Sequence, residues 1–351
     1  MGAVNLLPLA LGLIIFSFLI TSILVIPFID FLYRLHFIRK KEAPKRGKIP
    51  LFDKLHDQKA GTPVGGGILL IIVISFLFLI LFPFISRMGV FIQCAYELKM
   101  ELIIIFFTFL SFGLLGLSDD LLKIFGKPSK GIFGMWFGLR RRQKFILEWI
   151  LALIIGFLIY RGLGVSLVHL PMINKTLNLG IGYIPFSAFI IVMFSNAFNI
   201  TDGLDGLATG LLVICLISFA VIVAGNLDTP LSIFITLWLG ALIAFLYFNV
   251  WPARIFLGDA GALSFGATLS VISLITGSIV ALMVIGGIFV IEIASSAIQI
   301  IGWKVFKKAI FPLAPLHHSF LAIGWEEPKI VMRAWLAGIM LAIFGLWLAT
   351  I

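Results

Sequence analysis

Five aspartates stand in three short segments between long apolar runs: Asp119 and Asp120, Asp202 and Asp205, and Asp259. The chain around them is basic, with a formal net charge of +10. Carboxylates gathered beside apolar segments repel one another unless a cation collects them. A hard divalent ion fits that need, because magnesium takes one or two carboxylates and completes its shell with water and substrate phosphates. Each aspartate taken singly is equally well explained as a helix cap that accepts free backbone N–H groups; the five together are not.

The first segment reads Gly-Leu-Ser-Asp-Asp-Leu-Leu-Lys, from Gly116 to Lys123. Neighbouring residues on a helix point about 100° apart. Asp119 and Asp120 therefore divide their labour, one near a metal and the other toward a substrate or a lysine. Lys123 is within pairing reach of either. In the second segment Asn196, Asn199, Asp202 and Asp205 recur every three residues. If helical, that spacing lines one face with two amides and two carboxylates, suited to ribose hydroxyls, a base edge or the water shell of a metal. Gly203 and Gly206 interrupt it and let backbone N–H groups approach a ligand.

The third segment runs from Asn249 through Phe256 to Gly258-Asp259-Ala-Gly261. It resembles an anion- or metal-handling turn, a weak signal alone. Phe256 is a base-stacking candidate and equally an interfacial anchor. The last segment carries His317 and His318 before Gly324-Trp325-Glu326-Glu327. A histidine pair suggests zinc, but no third soft ligand accompanies it, so hydrogen bonds to phosphate or sugar are the better reading. A glycine-rich stretch, Lys59-Ala-Gly-Thr62-Pro-Val-Gly-Gly-Gly67, offers backbone N–H groups to phosphate without the spacing of a Walker loop.

The elements that position these residues are set by the solvent. Hydrophobic residues form 61% of the 351-residue chain and charged ones 12%. Soluble domains are about half apolar with about twice this charged fraction. The bilayer must be the second solvent, and a spanning helix needs roughly 20 apolar residues. Ten candidate spans lie near 8–33, 67–87, 101–118, 145–163, 182–198, 208–225, 231–249, 261–278, 280–302 and 331–350. The first has no basic residues before it and no small-residue cleavage site, so it reads as a retained helix.

Nine of the 26 Lys and Arg residues fall between Arg34 and Lys59 and seven between Lys123 and Lys144. A third group is Lys304, Lys307, Lys308, Lys329 and Arg333. The positive-inside rule puts these loops in the cytosol, and with them 199–207 and 250–260. Both termini then face outward. The fold class is thus an all-α integral membrane protein, one polytopic domain over 1–351, with its active site at the cytosolic face. The basic residues flank spans and build no basic domain, which excludes a nucleic-acid partner and fits anionic lipid headgroups and an anionic substrate. Cys94 and Cys215 are too differently placed to pair. A transporter would carry ionisable groups along a mid-membrane path; here Glu292 is the one acid read as deep in a span.

From about Lys59 to Trp335 these motifs, in this order, resemble the polyprenyl-phosphate N-acetylhexosamine-1-phosphate transferases. Lys59-Ala-Gly-Thr-Pro, Pro315-Leu-His-His and Gly324-Trp325-Glu326 favour the branch whose donor is UDP-N-acetylmuramoyl-pentapeptide, in peptidoglycan synthesis. The resemblance implies a multi-pass protein of the bacterial inner membrane with a ten-helix fold, magnesium dependence, undecaprenyl phosphate as acceptor, UMP as product and a homodimer. It also implies Asp119 and Asp120 as the catalytic pair and Asp259 as the magnesium ligand. Asn199, Asp202 and Asp205 line the nucleotide and metal cleft, with Asn249 and Phe256 nearby. Lys59, Thr62, Lys123 and Lys144 meet phosphates or support the acids. Glu292 and Gln299 match positions on the ninth helix, and His317 and His318 the histidine motif. The chain departs from the family pattern at Ser319, where a third histidine is usual, and at Ala262, where a serine is usual. These departures bear on the donor sugar and leave a transferase that uses UDP-N-acetylglucosamine as the alternative, with a lipid transporter as the non-enzyme reading.

Overall fold

The computed structural model describes residues 7–39, 59–87, 90, 92–125 and 141–351. Much of the two N-terminal basic runs, at 40–58 and 126–140, lies outside the described residues. Among the described residues there are twelve α-helices: α1 (Leu7–Arg34), α2 (Gly66–Arg87), α3 (Leu98–Phe125), α4 (Arg141–Gly162), α5 (Tyr183–Thr201), α6 (Leu207–Gly225), α7 (Thr229–Asn249), α8 (Gly258–Ile275), α9 (Ile279–Ile285), α10 (Gly287–Ile301), α11 (Leu316–Ala322) and α12 (Glu327–Thr350). Ten of these described helices are long and apolar enough to cross a membrane, all but the short α9 and α11.

Two features differ from the sequence reading. The span expected over 280–302 breaks at Gly286 into α9 and α10, and α10 runs on through a π-helical turn at Gly302–Phe306. Adjacent Gly286 and Gly287 weaken the helix there, and a Cβ on Gly286 would come 2.8 Å from the Phe194 ring. The loop after α4 holds a small antiparallel hairpin, β1 (Leu167–Leu170) with β2 (Lys175–Asn178), where only plain loop was expected.

Helix α8 is the axis of the bundle. Its apolar window is 89% buried, against 22% for the peripheral α1. It packs on α2, α3 and α5. An aromatic layer fills the middle: the Trp238 ring lies 5.7 Å from Phe109, 5.8 Å from Phe234 and 5.1 Å from Phe265. Lipid supplies no hydrophobic drive between helices, so close approach depends on small residues. Gly116 of α3 provides one such contact, since a Cβ there would sit 2.1 Å from the Asp259 carbonyl oxygen. Gly67 of α2 provides another, against the backbone of Gly261. These contacts draw the end of α3 onto the start of α8.

Candidate active site

Helix α3 continues past its apolar stretch for two polar turns, and Asp119 and Lys123 fall on one side of it at i and i+4. Lys123 Nζ lies 3.0 Å from Asp119 Oδ2 and 2.8 Å from Asp259 Oδ2. Lys144, at the start of α4, reaches the same two oxygens at 3.0 and 2.5 Å. Two ammonium groups thus bridge two carboxylates from different helices. Asp120 points elsewhere. Its oxygens accept the backbone N–H groups of Asp259 at 3.2 Å and Ala260 at 3.1 Å. It is the cap of α8, placed as an anion at a helix N-terminus. Gly258, at φ +79°, is required there, because a Cβ would lie 2.8 Å from Asp120 Oδ2.

A second network gathers loops from across the chain. Lys59 Nζ is 2.6 Å from Asp205 Oδ1 and 2.5 Å from Glu327 Oε1. Glu327 Oε1 also accepts the Asp205 N–H at 2.6 Å, and Asp205 Oδ2 accepts the Ala253 N–H at 2.9 Å. Asp205 therefore ties the glycine-rich stretch, its own turn and the loop before α8. Asp202 lies between the two networks. Its carboxyl, on a half-buried residue, is pushed up to about 8 by desolvation first and by negative Asp259 next, against the pull of Lys59 and Arg39. Phe256 has the Arg39 guanidinium 5.7 Å and Lys59 Nζ 5.9 Å from its ring centre, within cation–π range.

The histidines arrive on α11. The His317 N–H and ring Nδ1 both meet Glu292 Oε2, at 3.3 and 3.1 Å. A carboxylate only accepts, so Nδ1 carries a proton, and the ring's other nitrogen is Nε2. That atom is buried, without a partner among the described residues, and faces Gly203, where a Cβ would be 2.6 Å away. The His318 ring packs against it with centres 4.2 Å apart. Ser319 does not reach toward the site; its hydroxyl donates to the Leu313 carbonyl and closes the loop before α11.

The site residues read from the sequence thus meet at one end of the bundle, in differing roles. Asp119, Asp259, Lys123 and Lys144 converge; Asn199 stands on the last turn of α5, and Asp202, Thr62 and Phe256 lie along the adjoining loops. The helical face expected over 196 to 205 holds only for Asn196 and Asn199, because α5 ends at Thr201 and Gly206 turns the chain at φ +76°. Asn249 spends its amide on the Ile255 carbonyl and the Thr209 hydroxyl. Gln299 spends its own on the backbone of Ile310 and Phe311. Both brace loops. Glu292 was not the one buried acid of the spans: Glu148 of α4 and Glu101 of α3 are fully buried too. Glu327 and Glu148 were missed as site residues; the only local signal was Glu327's place after Gly324-Trp325.

No three His, Cys, Asp or Glu side chains among the described residues converge to hold a metal ion. That arrangement does not suit zinc. Hard carboxylate oxygens at Asp259 and Asp119 do suit an ion that draws most of its ligands from water and phosphate.

The chain belongs to glycosyl transferase family 4, whose sequence model matches residues 102–277, the stretch that holds all five loop aspartates. Over nearly its whole length it is similar to proteins named phospho-N-acetylmuramoyl-pentapeptide-transferase. That of Geobacillus sp. (strain WCH70) is 35% identical over 337 residues, 95% of this chain and 96% of the relative. Those of Bacillus pumilus (strain SAFR-032) and Bacillus subtilis (strain 168) are 33% and 34% identical with the same coverage. The protein is accordingly a multi-pass transferase of a bacterial cell membrane.

Proposed function

We propose that the protein moves phospho-N-acetylmuramoyl-pentapeptide from UDP to undecaprenyl phosphate, with magnesium, at the cytosolic face, forming the first lipid intermediate of peptidoglycan and UMP. The observation that carries this is the pairing of Lys123 and Lys144 with Asp119 and Asp259 at one end of a membrane bundle. Two anions must meet there, and phosphoryl transfer is mostly positioning and charge stabilisation. The two ammonium groups would offset the repulsion between lipid phosphate and diphosphate. Asp259, with Asp119 beside it, would hold magnesium, which supplies further charge neutralisation to the diphosphate.

An acceptor phosphate has a second pKa of about 6 and is largely ionised at neutral pH, so it needs little help from a base. Its oxygen attacks the phosphorus that bears the sugar; the new P–O bond forms as the bond to UMP breaks, and UMP carries away the electron pair. Asp119 orients the acceptor or takes any remaining proton. A covalent aspartyl-phosphate is the competing route, and radiolabelled phospho-sugar trapped on the protein without lipid acceptor would establish it. The positive-inside pattern supports the cytosolic placement.

The test is UMP release by purified protein with undecaprenyl phosphate and magnesium. Release with UDP-N-acetylmuramoyl-pentapeptide and not with UDP-N-acetylglucosamine is the expected result. Release with the glucosamine donor alone would reassign the sugar, and silence with both would overturn the reading.

A further inference from the structure

Glu148 lies on α4, one turn beyond Lys144, and is fully buried. One of its oxygens accepts the Asn196 side-chain amide of α5 at 2.5 Å. The other is buried with no donor among the described residues. Burying a carboxylate with so few partners is costly, and a merely apolar contact between α4 and α5 would avoid that cost. The short bond to Asn196 is what offsets that cost, and it ties α4 to α5.

We infer that Glu148 is a positioning residue whose function is to fix the orientation of the Asn196 amide. An asparagine amide can flip end over end, exchanging donor for acceptor. A carboxylate accepts only, so the Asn196 nitrogen must face it. The second hydrogen on that nitrogen goes to the Val192 carbonyl at 2.9 Å. Both donors are spent, and no described residue donates to the remaining carbonyl oxygen. Asn196 thereby becomes a dedicated acceptor, one turn before Asn199 on the site end of α5. What it selects is an O–H or N–H donor, which on the proposed substrate means a ribose hydroxyl or the base N–H of the uridine. This last step rests on the functional reading above; the orientation of the amide does not.

The test uses full-length protein in lipid nanodiscs. Kinetics with the pentapeptide donor are compared for wild type, Glu148→Leu, Glu148→Gln, Asn196→Ala and the Glu148→Leu/Asn196→Ala pair. Side-chain NH2 resonances of 15N-asparagine-labelled protein are recorded in parallel, with Asn196 identified by its loss in Asn196→Ala. Loss of the bond that holds the Asn196 amide predicts a donor KM raised about tenfold in Glu148→Leu, with kcat changed by less than about threefold. The lipid-acceptor KM stays put. Glu148→Gln, whose amide oxygen still accepts, restores most of the donor KM. The double variant is no worse than Asn196→Ala alone, and the Asn196 resonance moves in Glu148→Leu. An unmoved resonance, or an unchanged donor KM in Glu148→Leu, overturns the inference. Should the wild type fail to turn over while the resonance moves as stated, the functional reading falls and the amide orientation stands.

Discussion

Asp120 Oδ2 accepts the backbone N–H of Ala260 at 3.1 Å, so this carboxylate holds the start of α8 rather than a neighbouring lysine. The adjacent Asp119 meets both lysines of the site. The pair therefore separates on substitution. Asp120→Ala removes a cap and leaves buried N–H groups without an acceptor, a loss of about 1 kcal/mol or more. It should lower the unfolding midpoint followed by tryptophan fluorescence. Asp119→Asn should unfold near the wild-type midpoint and lose turnover. Equal destabilisation by the two would contradict the assignment.

Asp259→Asn keeps the α8 cap, since Asp120 binds backbone there, but gives up the charge that both lysines bridge. The variant should fold and lose magnesium-dependent UMP release. Wild-type-like activity in a titration with magnesium would remove the metal assignment.

The charge state of Asp202 gives a pH test. Its carboxyl titrates at about 8 against an ordinary 3.8, raised chiefly by burial. Between those values the folded protein holds a proton that the unfolded chain has released, so stability falls as pH rises. The contribution is whole below 3.8 and gone above about 8. Asp202→Asn has no such proton, and its unfolding midpoint should fall less steeply than that of wild type from about pH 5 to 8. Parallel slopes in the two proteins would refute the shift.

Gly116 sets how close the two halves of the site come. A Cβ there would lie 2.1 Å from the Asp259 carbonyl oxygen, a backbone atom that cannot rotate away. Gly116→Ala should push α3 from α8, and displacements of this kind near an ångström cost up to about a hundredfold in rate. Gly225→Ala, at the end of α6 with open space around its Cβ, is the matched control and should be silent in kcat/KM.

The apolar runs were plain in the sequence, because a membrane span is a local property of about 20 residues. The loop aspartates were legible for the same reason: charge beside such a run is conspicuous. Their division of labour was not. Nothing local distinguishes Asp119 from Asp120 except a rotation about the helix, and only the approach of α8 decides which one meets a lysine and which meets backbone. The regular spacing of Asn196, Asn199, Asp202 and Asp205 read as one helical face, but Gly203 and Gly206 ended the helix partway along it. Glu327 and Lys59 are 268 residues apart, and no sequence pattern announces a pairing over that distance. Glu148 was passed over as one acid near the end of a span, since its partner Asn196 sits on another helix.

Lys123 and Lys144 already have their counter-ions inside the protein. An anion arriving at this end takes the place of a carboxylate, and few small ions leave for the bulk. Docking there is ion exchange with a fixed resin. The formal charge of +10 suggests an attraction that ordinary salt would quench, since exposed charges are screened over about 10 Å at 0.1 M. The local arrangement instead makes the final grip on an anion nearly indifferent to ionic strength and leaves salt to govern only the approach.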